Sequence, residues 1–132
     1  MFLRDLTDEQ KRAFLVLADK VVLADGHLAP EETMLLDTFR AEMDVADVPV
    51  PQMDLAEAAK IFDTRKARVS VLFELIALGH ADGDFDKDES AVVTEIKRAF
   101  GLSLAEFEAM VNWVLRQMAL VREASELMAQ EA

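Results

Sequence analysis

Gly79-His80-Ala81-Asp82-Gly83-Asp84-Phe85-Asp86-Lys87-Asp88-Glu89-Ser90 sets five carboxylates between one apolar run and the next. An earlier stretch, Leu23-Ala24-Asp25-Gly26-His27-Leu28-Ala29-Pro30-Glu31-Glu32-Thr33, repeats its pattern: Ala-Asp-Gly, one variable residue, an apolar residue, two variable residues, an acid, Glu and a hydroxyl residue. Each copy runs without a gap into a matching helical pattern. Leu35, Leu36, Phe39, Arg40 and Met43 in the first answer Val92, Val93, Ile96, Lys97 and Phe100 in the second. The chain therefore reads as two helical half-repeats, each built round an acidic helix-to-helix corner. The fold expected is all-α, a bundle of about six or seven helices with an internal pseudo-two-fold repeat.

Composition bounds the function. A chain of 132 residues suits one domain, and the absence of Cys excludes disulfides, thiolate metal sites and thiol catalysis. Hydrophobic residues at 52% argue against disorder, while 4 Gly and 3 Pro leave little material for strands and turns. A formal net charge of -12 repels nucleic acid and anionic lipid, and Arg65, Lys66 and Arg68 make the nearest thing to a basic patch. No apolar run is long enough to span a bilayer, and Met1-Phe2-Leu3-Arg4-Asp5 lacks a signal-peptide layout. These features point to a cytoplasmic protein that neither binds nucleic acid nor inserts into a membrane.

In chain order, Thr7 with Gln10 forms a capping-box pattern, and Phe2, Leu3 and Leu6 before it are expected to tuck back onto the core. Half-repeat one covers about 6–43. Pro30 fits the first position of its second helix, with Glu31 and Glu32 in the first turn. A linker over 44–53 carries Pro49 and Pro51, and Asp54 with Glu57 makes a capping box for a short helix after it. Half-repeat two covers about 63–115. Its basic start, Arg65-Lys66-Ala67-Arg68, opposes the helix dipole and is expected to be held by acids elsewhere. Asp86 with Glu89, and Ser103 with Glu106, give two more capping boxes. Leu104, Phe107, Met110, Val111, Val114, Leu115, Met118 and Val121 carry an apolar face into an extension over 116–132, expected to project, fray or pack on a second copy.

Asp82-Gly83-Asp84-Phe85-Asp86-Lys87-Asp88-Glu89, followed by Glu95-Ile96, Phe100-Gly101 and Ala105-Glu106-Phe107, resembles the second acidic motif of the TerB-like family, which is named for a tellurite-resistance protein and includes a domain of a membrane-anchored J-domain cochaperone. Leu23 to Glu32 resembles the first motif, and the likeness runs from about Glu9 to Val114. The resemblance implies a TerB-like helical bundle with an internal pseudo-repeat and an acidic surface that binds divalent metal. It also implies membrane-associated protein partners in a stress response. Carried over, the motif acids are Asp25, Glu32, Asp82 and Glu89.

On chemical grounds the second corner offers Asp82, Asp84, Asp86 and Glu89 on a short loop and a first helical turn, an oxygen set for a hard cation. It is not an EF-hand: counted from Asp84, Glu89 stands where the turn-making Gly belongs, and counted from Asp82 the twelfth position is Val93. The first corner mixes Asp25, His27, Glu31 and Glu32, a set better suited to Zn²⁺, Mn²⁺ or Ni²⁺ than to Ca²⁺. The candidate metal ligands are thus Asp25, Glu32, Asp82, Asp84, Asp86 and Glu89, with Ca²⁺, Mg²⁺, Mn²⁺ and Zn²⁺ as the ions to consider. Capping and the helix dipole account equally well for Asp86, Asp88 and Glu89, and turn hydrogen bonding for Asp82.

His80 fits the last turn of a helix as a dipole-compensating residue, and His27 is a turn residue near acids. No Gly-x-Ser-x-Gly, His-Glu-x-x-His or phosphate-cradling loop occurs, so an enzyme such as a small hydrolase is the weakest reading. The leading reading is a non-enzymatic binding module, monomeric or homodimeric, using its acidic corners. The alternative is a metal-free helical adaptor for a protein partner. Met34, Met43, Met110 and Met118 are expected in the core.

Overall fold

Thr7, Asp54, Thr64, Asp86 and Ser103 have short oxygen-bearing side chains that satisfy the first unpaired amides of a helix, and each stands one residue before a helix. In the computed structural model, which describes residues 1–83 and 85–130, the chain forms six helices and no strand among the described residues. They are α1 (Asp8–Val22), α2 (Pro30–Met43), α3 (Leu55–Lys60), α4 (Arg65–Gly79), α5 (Lys87–Ala99) and α6 (Leu104–Ala129). The protein is all-α.

The boxes at Thr7 with Gln10 and Ser103 with Glu106 close reciprocally. Those at Asp54 and Asp86 form by half. Asp54 Oδ1 accepts from Glu57 N–H and Asp86 Oδ1 from Glu89 N–H, both at 2.8 Å. Glu89 does not return the bond because its side chain is turned inward. At α2 the cap is Ala29, which has no side-chain acceptor; Pro30 supplies the preset first turn, and Glu32 Oε1 accepts from Ala29 N–H at 3.0 Å.

α1 and α4 form the centre, each packed on the other and on α2 and α5. Phe14, Leu17, Val21, Leu72, Leu75 and Ile76 are almost wholly buried there. Burying one such side chain stabilises by about 1.5–3 kcal/mol relative to leaving it exposed. Phe14 meets Phe39 edge-on at 5.3 Å and Phe62 meets Phe100 at 5.7 Å, tying α2 to α1 and α5 to the segment after α3. Leu3 and Leu6 do tuck into this core, and Phe2 joins Phe73 and Trp113 in an aromatic cluster. The basic start of α4 finds its acids: Arg65 pairs with Glu106 at 2.8 Å and Lys66 with Asp5 at 3.4 Å.

The apolar face of α6 is narrower than its sequence predicts. Met110 and Val114 are buried, but Leu104 is 61% exposed and Leu115 43%, because both lie about a quarter turn round the helix from Val114. Met34 is likewise at the surface, 70% exposed, rather than in the core. From residue 119 to 130 α6 and its cap are exposed throughout, so the extension projects. No helix among the described residues is long and apolar enough to cross a membrane.

Candidate metal centre

Both corners are held by local chemistry. After α1, Gly26 takes φ 79°, a left-handed conformation that a side chain disfavours, and Asp25 Oδ1 accepts from His27 N–H at 2.9 Å. After α4, Gly83 does the same at φ 84°. His80 caps α4, its Nδ1–H donating to the Ile76 carbonyl at 2.9 Å, and its ring stacks on Phe85 with centroids 4.3 Å apart. The Phe85 ring in turn lies over Gly79, where any Cβ would collide with it. The motif's apolar residue is thus the pin that fixes the approach to α5, and His80 acts as the expected helix-end residue.

α2 and α5 both pack on α1 and α4, and the corner before α2 comes up to the start of α5. One oxygen each from Asp25, Asp86 and Glu89 lies within 4.8 Å of the others. Glu32 lies against this group, its carboxyl close enough to that of Glu89 for each to perturb the other. Glu32 and Glu89 are each only 2% exposed, whereas Asp25 and Asp86 are half-buried at the mouth. With both glutamates ionised, neither Oε2 meets a hydrogen-bond donor. Two buried acceptors without a donor are costly unless a proton or a cation lies between them.

The electrostatics follow from that crowding. Burial, then the charges of Glu32, Asp86 and Asp25, pushes the Glu89 carboxyl up to about 8. Burial is also the main cause raising Glu32, reinforced by the charges of Asp82 and Asp25. Asp25 goes the other way, held below the usual carboxylate range by the His27 backbone N–H and by its hydrogen bond with Asp86. The site therefore joins an ionised, hydrogen-bonded acid at the rim to a proton-sharing pair at the base.

Of the sequence candidates, Asp25, Glu32, Asp86 and Glu89 come together across the two corners. Asp82 is exposed, and its charge also reaches Glu32. Asp84 lies outside the described residues. His27 and Glu31 are exposed and stand outside the convergent carboxylates, so the set that forms is oxygen-only rather than the mixed set read at the first corner. Glu32 and Glu89 occupy matching positions in the two motifs, which is the sequence signal for their pairing. Asp86 has no such signal, since its counterpart is Ala29. A carboxylate-only set of this kind suits Ca²⁺, Mg²⁺ or Mn²⁺.

The family model for the tellurite resistance protein TerB matches residues 40–112, more than half of the chain, including the second corner but not the first. No curated protein and no solved structure gives a significant match.

Proposed function

The chain belongs to the TerB family, and on that premise we propose that it is a non-enzymatic module that binds a divalent cation where its two acidic corners meet. The observation that carries this is the buried pair Glu32 and Glu89, whose Oε2 atoms lack a donor. These two carboxylates, with Asp25 and Asp86 at the mouth, would hold the ion, and water would complete the six or more oxygens that Ca²⁺ takes. A bound cation supplies positive charge that relieves the repulsion of four acids. Asp25 and Asp86 attract it at the rim, while Glu32 and Glu89 surrender their shared proton to make room.

The place of such a module in tellurite resistance or another stress response, with a membrane-associated protein as partner, belongs to the same proposal and rests on the family alone. The metal-free adaptor has separate support in the apolar groove bounded by α2, α4 and α6, of about 570 Å³. Calorimetric titration of metal-stripped protein with Ca²⁺, Mg²⁺, Mn²⁺ and Zn²⁺ tests the metal reading. Saturable binding lost in an Asp25→Asn, Glu89→Gln variant supports it. Absence of binding at millimolar ion refutes it.

A further inference from the structure

Exchanging α1 with α4, α2 with α5 and α3 with α6 turns each packed pair of helices into another packed pair, with one exception. α3 packs on α5, but the counterpart, α2 against α6, stays open as the 570 Å³ groove. Its α6 wall is Val114, Met118 and Val121, and Met34 and Leu35 of α2 stand opposite. The same line continues beyond the bundle: 114, 118, 121, 125 and 128 alternate steps of four and three, so Ser125 and Met128 extend the wall along the exposed end of α6. Val121 is 56% exposed and Met128 79%.

We propose that the occupant of this groove is a second copy of the chain, whose projecting α6 lies antiparallel along the first. Charge chooses this partner. The body of the chain carries nearly all of the net -12, whereas the described part of the extension holds Arg116 and Arg122 against Glu123 and Glu126 and is balanced. Two copies can meet along it without setting acid against acid. Length fits as well: with Met128 of one copy over Met118 of the other, the projecting turns from Arg122 to Ala129 reach the groove wall at Met118 and Val121. In a two-fold pairing Met128 of each copy falls over Met118 of the other, beside Met34, and Ser125 falls over Val121. A helical end with no tertiary contact frays in water, and this contact gives it one.

Sedimentation equilibrium of the full chain over a concentration series tests the proposal, with circular dichroism to establish that each variant is folded. The wild type is expected to reach twice the chain mass. Val121→Glu and Met128→Glu each enter the two-fold contact twice and should weaken association on the order of 1,000-fold. Leu120→Glu, an equally exposed site about a third of a turn away round the helix, should leave association unchanged. A wild type that stays at the chain mass throughout overturns the proposal. So does a dimer that survives both stripe variants, or one that Leu120→Glu dissolves as readily.

Discussion

Glu32 and Glu89, from opposite halves of the chain, meet as a buried carboxyl pair, both only 2% exposed. Their proximity sets the pH response. Glu89 binds its proton more tightly folded than unfolded, its carboxyl rising from 4.5 to about 8. The folded state therefore holds an extra proton between those values. This carboxyl's contribution to stability without metal is greatest below about 4.5 and is lost as pH rises through about 8, by on the order of a few kcal/mol. Urea unfolding across that range checks the sign. Saturating Ca²⁺ should flatten or invert the slope, because the cation favours the deprotonated pair.

Glu89→Gln separates stability from binding. The amide keeps the shape, removes one buried charge and donates the hydrogen bond that Glu32 lacks. The metal-free variant should be more stable than wild type by about 1–3 kcal/mol at pH 8. It should also lose cation affinity and the pH slope together. A variant that is less stable at pH 8 would contradict this account of the pair.

Gly79→Ala should destabilise by about 1–3 kcal/mol, since the added Cβ and the Phe85 ring claim the same space. The displaced ring also leaves His80, so the approach to α5 loosens. Cation affinity should fall with no ligand altered. Phe85→Ala in the Gly79→Ala background relieves the clash without restoring the pin, so stability should recover further than affinity does.

Arg40 holds the linker against the end of α2: Nη1 donates to the Val45 and Val48 carbonyls at 3.0 and 2.6 Å. Arg40→Ala takes the side-chain donor from the half-buried Val48 carbonyl and leaves that of Val45 only the Val48 N–H at 3.2 Å, and should cost about 1–3 kcal/mol. Arg40→Lys should recover only part of that, because an ammonium does not reproduce the guanidinium's planar donors. Hydrogen exchange confined to the segment after α2 would show the local loosening.

Local chemistry made the helix starts legible. Thr7, Asp54, Asp86 and Ser103 cap helices at the residues their side chains indicate, and the Pro-containing linker separates α2 from α3. The duplicated motif likewise revealed two corners. Their meeting was not legible, because it depends on how α2 and α5 pack across α1 and α4, and no local pattern encodes that distance. Glu89 shows the difference: its spacing from Asp86 read as a capping box, yet its carboxyl is drawn inward to Glu32. Met34, Leu104 and Leu115 show another limit. Helical periodicity identifies an apolar stripe, but neighbouring helices decide how much of it is covered.

The union of the corners gives any cation bound there a mechanical role. An ion held by Asp25 and Glu32 on one side and Asp86 and Glu89 on the other would be a removable crosslink closing a long loop of chain, comparable in effect to a disulfide in a chain without cysteine. Neither half alone could make it. Because ligation would favour only the folded state, resistance to proteolysis would follow the free ion concentration, and the protein's lifetime would become a record of metal supply.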